Sequence, residues 1–424
     1  MATVNPPRGM RDFLPSDKRK RDVAIRIISD VYRRHGFDPI ETPVLEEHST
    51  LHSGLGGDNE KLSFHVLKRG LAPEDFANAT AAEDLSDLGL RFDLTVPLAR
   101  FVASHHAELP SVFRALHVAP VWRAERPQKG RFRQFVQCDI DIVGEESTLA
   151  EREVLIATAD ALSTLGVTDY RFRVNDRRLL TSLLAAIGFS PDLHPSVLIT
   201  LDKLDKVGVE GVLAELGEKF PGIGDASTLK AVLHDAAQGN IPWDADRISS
   251  LMSGEDSVAE HLASWAKDVE SVVGEGRVVF DPTLVRGMGY YTGSIVELEH
   301  PELGVSMGGG GRYDGMVGRF LGKDMPAFGF SLGFERLIDL IDVSVGDEPP
   351  RVALLYSGDI SPATVVRLKK ELVAEGLSVR LVSVSRNMKA VFERLETDGF
   401  ERVAEVTADT AAAADLEWRA LATR

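Results

Sequence analysis

Residues 121–143, VWRAERPQKGRFRQFVQCDIDIV, decide how this chain folds. An apolar start, Val121 and Trp122, runs into Arg123 and Glu125. A polar turn built on Pro127 and Gly130 follows, carrying Arg126, Lys129, Arg131 and Arg133, and the chain returns as Phe135 to Val143. The returning arm alternates apolar and polar residues over its last six positions, the signature of a half-buried strand. Two strands joined by a basic loop predict an antiparallel hairpin with Gln137, Asp139 and Asp141 on one face and Cys138, Ile140 and Ile142 on the other. A guanidinium fixed on a strand is a bidentate ligand for carboxylate or phosphate, and a loop with four cations suits a polyanion. A solvated hairpin with charged turn residues would share the pattern, so other stretches must decide.

Composition bounds the answer. At 424 residues the chain is long enough for two or three domains. Hydrophobic content of 44% and charged content of 27% are those of a soluble globular protein. A net charge of −17 argues against a general nucleic-acid coat but leaves room for a local basic patch. The single cysteine, Cys138, excludes an internal disulfide and a multi-cysteine zinc site, and implies a reducing, cytoplasmic setting. The N-terminal MATVNPPRGMRDFLP has no apolar core of signal-peptide length, and no apolar run predicts a membrane span. The eleven histidines are scattered and read as surface residues.

Residues 16–36 predict an amphipathic helix with Ala24, Ile27, Ile28, Val31 and Tyr32 as its stripe and Gly36 at its end. IETPVLE (40–46) reads as a strand, and Pro43 inside it demands an edge or a subunit boundary. Residues 71–87 have no clear period and read as a loop. Arg91 to Thr95 reads as a short strand with Asp93 and Thr95 on one face, and Pro97 suits the first turn of a following helix. From Tyr170 to about Arg277 short helical patterns with Gly and Pro breaks predict an insertion. Strands resume at 278–299. Four consecutive glycines, 308–311, have no side chains to pack and predict close backbone approach to a ligand or another strand. AFGFSLGFERLIDLI supplies a strand leading into a helix with Glu335 and Arg336. DVSVGDEPP, 342–350, is a linker by composition. Beyond it a β-α-β order, a helix, the strand RVAEV and a helix-like alanine-rich tail predict a small α/β domain.

Taken together, RGMRDFLPSD, RFDLTVPLAR, the hairpin, LVRGMGYYTG, GGGGRYDGM and AFGFSLGFERL resemble, in order and over nearly the whole chain, the motifs of the histidyl-tRNA synthetase family of class II aminoacyl-tRNA synthetases. The resemblance implies an α+β fold: a class II antiparallel sheet flanked by helices (1–341) with a helical insertion (171–277). The linker 342–350 would join it to a shortened α/β domain at 351–424. It implies activation of L-histidine by ATP with Mg2+ and transfer to the 3′ end of tRNA(His) by a homodimer. Arg123 and Arg286 would be catalytic. Asp93, Thr95, Arg123, Gln137, Asp141, Arg286, Tyr290 and Tyr291 would bind histidine. Arg123, Glu125, Arg131, Phe135 and Arg336 would bind ATP, Phe135 by stacking on adenine and Arg336 at the γ-phosphate. An imidazole offers one N–H donor and one acceptor nitrogen, which a carboxylate such as Asp141 and a tyrosine hydroxyl can read. Two departures stand out. Gly289 occupies a position where the family usually has aspartate, and the last strands of an anticodon-binding domain are not evident. A histidine-binding regulatory paralogue, of the ATP phosphoribosyltransferase regulatory subunit type, is the alternative. The retained Arg123, Arg286 and Arg336 argue against it.

Overall fold

The computed structural model describes residues 4–51, 62–128, 130–201, 203–221, 227–238, 241–286, 291–302, 304–342 and 349–422. Lys129, Gly289, Tyr290 and most of the linker, 343–348, lie outside the described residues. The chain divides into two units, Met1–Asp12 with Ala24–Asp342, and Phe13–Val23 with Val343–Arg424.

Among the described residues, the strands of the first unit are β1 (Asp38–Pro39), β2 (Leu45–Glu47), β3 (Phe64–Leu67), β4 (Ser86–Leu90), β5 (Phe113–Trp122), β6 (Gln134–Val143), β7 (Arg171–Asp176), β8 (Val278–Phe280), β9 (Ser294–His300), β10 (Val305–Arg312) and β11 (Ala327–Gly333). Eight of them form one sheet in the order β1-β5-β6-β11-β10-β9-β7-β8. The sheet is antiparallel except at its two ends, β1 with β5 and β7 with β8. The predicted hairpin is part of it: β5 and β6, second and third in that order, pair over ten residues, from Phe113 opposite Val143 to Trp122 opposite Gln134. Pro120 is tolerated inside β5 because β1 pairs only with Ala115 and Leu116, leaving the far side of Pro120 without a ladder to donate to.

Directly opposed residues point to the same face, so the registers line up rows across the sheet. One row runs Arg173, Glu297, Gly309, Ser331, Asp139, His117, and the next runs Asn175, Ile295, Gly311, Gly329, Asp141, Ala115. The glycine run therefore lies within β10, and the expected close approach is real. A Cβ on Gly310 would sit 2.0 Å from the Gly329 carbonyl oxygen, and one on Gly308 2.5 Å from that of Ser331. The alternation in β6 is also real, but the strand is not half-solvated: every residue from Gln137 to Val143 is buried.

Several local expectations are corrected. In 40–46 only Leu45 and Glu46 reach a ladder; the carbonyls of Thr42 and Pro43 are taken by the buried Arg91 guanidinium, at 2.9 and 3.3 Å, instead of by a strand. The strand read at 91–95 ends at Leu90, and Asp93 turns the chain by accepting from the Val96 amide, 3.2 Å, at the start of helix Thr95–His105. Within 71–87 lie two short helices, Pro73–Asn78 and Ala82–Leu85. The carboxylates of Asp75 and Asp84 accept from the backbone N–H groups of Ala72 and Ala81. The insertion begins later than 171, because Arg171–Asp176 is a strand of the main sheet with Phe172 and Val174 fully buried. Asp176 then caps helix Arg177–Ile187 through the Arg178 amide, 2.8 Å, and helices continue to Val273. His117 and His194 are buried and not on the surface.

In the second unit, β12 (Arg351–Tyr356), β13 (Ser378–Ser383), β14 (Arg402–Val406) and β15 (Trp418–Ala420) form a sheet ordered β13-β12-β14-β15. Helices Pro362–Ala374 and Met388–Thr397 accompany it. The alanine-rich tail is not a helix. Asp415 closes a single tight turn by accepting from the Ala411 and Ala412 amides, and the chain then pairs as β15 antiparallel to β14. Burial of Ala413, Leu416 and Leu421 against this unit's core outweighs the helix propensity of so short a segment.

Candidate active site

Arg123 stands where β5 leaves the sheet. Its backbone amide donates to the Arg133 carbonyl, 2.8 Å, closing the hairpin neck, and its Nε donates to the Phe92 carbonyl, 2.9 Å. Its guanidinium lies 5.0 Å from the centre of the Phe135 ring. The loop beyond is narrowed by paired backbone bonds between Gln128 and Arg131, with Gly130 at φ 73°, a region glycine enters without a Cβ penalty. Glu125 and Arg131 are exposed, their charged groups 3.8 Å apart.

The N-terminal segment braces this loop. The Gly9 carbonyl accepts from the Arg133 amide, 2.8 Å, and a Cβ on Gly9 would fall 2.7 Å from Pro127 Cγ. Arg11 stacks 3.3 Å above the Phe132 ring centre and forms an ion pair with the buried Glu335, whose other oxygen accepts from the Val136 amide at 3.2 Å. Glu335 and Arg336 begin helix Phe334–Leu340 directly after β11, so one turn ties the hairpin to the far arginine.

Arg286 and Arg336 meet at Ser306. Arg286 donates to the Ser306 hydroxyl, 3.3 Å, and to the Glu297 carboxylate; Arg336 donates to the Ser306 carbonyl. The Arg286 guanidinium lies over Gly309, where a Cβ would come within 2.5 Å of its Cζ. Burial, with the neighbouring charges of Arg131 and Arg286, lowers the Arg336 pKa. Three cations held this close favour an anion between them.

The other half of the site is acidic. Asp93, Asp139 and Asp141 are buried on the β6 side. Desolvation pushes the Asp93 carboxyl up to about 6 and that of Asp141 up to about 7. Asp139 is driven well above the usual carboxylate range by burial and then by the charge of Asp141. The buried Tyr313 hydroxyl donates to Asp141, 2.6 Å. Gly329 makes room for that contact, since a Cβ there would sit 1.7 Å from Asp141 Oδ1. Gln137 donates to the Ser331 hydroxyl, 2.8 Å. Tyr291 is half-buried and packs beside Gly311 in the cluster that contains Tyr313.

The structure thus brings Asp93, Gln137, Asp139 and Asp141 together beside Arg123, and sets Arg131, Arg286 and Arg336 near one another. Thr95 is half-buried at the first position of its helix, and so does not share a strand face with Asp93. Tyr290 lies outside the described residues. The sequence reading passed over Tyr313, Glu297, Ser306, Ser331 and Glu335 as site residues. Tyr313, Ser331 and Glu335 stand inside the motifs GGGGRYDGM and AFGFSLGFERL, whereas Glu297 and Ser306 are ordinary strand residues that only the cross-strand register selects.

An antiparallel sheet bearing fixed arginines at one end of a glycine floor and buried carboxylates at the other defines a site for a polyanion beside a small polar molecule. The family model of histidyl-tRNA synthetase matches residues 9–337. Histidine–tRNA ligase of Leifsonia xyli subsp. xyli is 53% identical over 421 residues, covering 97% of each chain. That of Aeropyrum pernix is 39% identical over 338 residues, 79% of this chain and 73% of its own. The crystal structure of histidyl-tRNA synthetase from Nostoc sp. PCC 7120 superposes with a TM-score of 0.77 at 27% identity, covering 99% of this chain and 95% of that one. An ATP phosphoribosyltransferase regulatory subunit/histidyl-tRNA synthetase from Bacillus halodurans, with a TM-score of 0.75 at 22% identity, shares the fold. This chain belongs to the histidyl-tRNA synthetase family.

Proposed function

We infer that the chain activates L-histidine with ATP and transfers it to the 3′ end of tRNA(His). The carrying observation is the pairing of Arg123, Arg286 and Arg336 with a buried carboxylate pocket on one sheet face. In the first step a carboxylate oxygen of histidine attacks the α-phosphorus of ATP, the bond to the β-phosphate bridging oxygen breaks, and pyrophosphate leaves. In the second, a ribose hydroxyl at the tRNA end attacks the acyl carbon and AMP leaves. Neither step requires a protein nucleophile; positioning and fixed positive charge lower the barrier.

Arg123 and Arg286 neutralise charge developing at the α-phosphate, and Arg336 holds the γ-phosphate with help from Arg131. Phe135 stacks on adenine and Glu125 orients the nucleotide. Asp93, Thr95 and Gln137 hold the amino group of histidine. Asp141 accepts from the imidazole N–H while Tyr290 and Tyr291 line the ring. A pocket of buried polar groups rejects an apolar analogue strongly, because those groups would be left unpaired. Magnesium bound with ATP would supply charge screening at its phosphates.

We further propose a homodimer in the cytoplasm. Exposed Val44 and Leu45 at β2 and Leu67 on β3, on or beside the three-stranded sheet β2-β4-β3, support a second copy packing against that sheet. No described helix is long and apolar enough to cross a membrane. The regulatory alternative is disfavoured by the retained arginines and by the ligase name of relatives matched across almost the whole chain.

Histidine-dependent exchange of labelled pyrophosphate into ATP tests the reading. Exchange with histidine alone among the amino acids is expected; histidine binding without exchange would return the reading to the regulatory paralogue. Asp141→Ala should raise the Michaelis constant for histidine far more than that for ATP. An equal rise in both would remove Asp141 from the imidazole.

A further inference from the structure

The buried face of β6 carries one carboxylate more than this reaction scheme employs. Asp139 lies between Gln137 and Asp141 and is 3% exposed. The Ser331 hydroxyl accepts from Gln137 Nε2, 2.8 Å, and donates in turn to the Asp139 carboxyl. That relay orients both side chains. It leaves Gln137 Oε1 and Asp139 Oδ1 as buried acceptors without a hydrogen-bond partner. His117, alongside on β5, does not satisfy Asp139, because its own Nδ1 is equally unpartnered and its Nε2 faces the Thr42 hydroxyl at 3.5 Å. Asp93 and Asp141 repel an ionised Asp139, and Arg123 attracts it. Native structures seldom leave such acceptors buried and unpaired unless something binds there.

An ammonium group has three N–H donors and no acceptor. The pocket offers three acceptors for it: the Asp93 carboxyl, Gln137 Oε1 and Asp139 Oδ1. The charges agree, since three buried carboxylates face one guanidinium and a bound cation reduces the imbalance. We propose that Asp139 is a specificity-determining residue that accepts a hydrogen bond from the α-ammonium group of the amino-acid substrate, alongside Asp93 and Gln137. This rests on the placement of the amino group in the proposed function. Its consequence is a pocket that demands a protonated amine and discriminates against des-amino imidazole acids.

The test compares dissociation constants of L-histidine and of imidazole-4-propionate, which lacks only the amine, for the full chain and for Asp139→Ala, by titration calorimetry. Loss of a charge-assisted hydrogen bond should weaken histidine by about tenfold or more while leaving the des-amino acid unchanged. If the alanine variant does not fold, the nearly isosteric Asp139→Asn carries the same comparison and should show the same selective loss. Equal weakening of both ligands, or of neither, overturns the assignment while leaving the functional reading intact. Failure of the unaltered chain to bind histidine overturns that reading and the inference together.

Discussion

Gly329→Ala probes how the pocket is made. The added Cβ would stand 1.7 Å from Asp141 Oδ1, 2.7 Å from its Cγ and 3.2 Å from Tyr313 Cε1. Backbone pairing of β11 with β6 on one side and β10 on the other prevents the glycine from moving away. Asp141 must therefore rotate, and its 2.6 Å bond from the Tyr313 hydroxyl breaks with both groups buried. Overpacking a dense interior costs about 1–3 kcal/mol, and leaving a buried donor or acceptor unpaired costs about 1–3 kcal/mol more. The expected loss of stability is thus roughly 2–6 kcal/mol, measured by urea denaturation. In pyrophosphate exchange the Michaelis constant for histidine should rise well beyond that for ATP. A double-mutant cycle with Tyr313→Phe locates the cause: if the clash acts through the Asp141–Tyr313 contact, the two losses fall short of additive. Full additivity, or a Gly329→Ala variant within about 0.5 kcal/mol of the parent with unchanged histidine kinetics, would refute the reasoning.

Two further outcomes follow from the same face of the sheet. Gly309→Ala, whose Cβ would fall 2.5 Å from Arg286 Cζ, should displace that guanidinium and lower the exchange turnover by about 100-fold, the usual effect of losing one transition-state donor, with histidine affinity less affected; unchanged turnover would remove Arg286 from the reacting phosphate. The acidic pocket also predicts a pH dependence of stability. Carboxyls raised to about 6 at Asp93 and about 7 at Asp141, with Asp139 raised as well, keep protons that the unfolded chain, titrating near its ordinary value, has already lost. The folded form then binds more protons than the unfolded form from about pH 4 to pH 7, so these groups make stability fall as pH rises through that window. Asp141→Asn should flatten the decline between about pH 4 and pH 7 in denaturant titrations, and parallel curves for variant and parent would contradict it.

Much of this protein was legible along the chain. Alternation marked β6, the polar turn marked the hairpin, and the order of the motifs identified the family, because strand periodicity and turn chemistry are local properties that the chain writes one element at a time. Segments tied down from a distance were misread. The carbonyls of Thr42 and Pro43 are held by the Arg91 side chain and not by a ladder. Residues 410–420 are drawn onto a sheet by buried Ala413 and Leu416, against their own helical composition. What only the tertiary structure decided is the company each site residue keeps. Gly329 became the space for Asp141, Ser331 the link between Gln137 and Asp139, and Ser306 the meeting point of Arg286 and Arg336, because cross-strand register joins residues far apart in sequence. Burial then turned three ordinary aspartates into a pocket of raised pKa, an effect of surrounding protein that no stretch of sequence carries within itself.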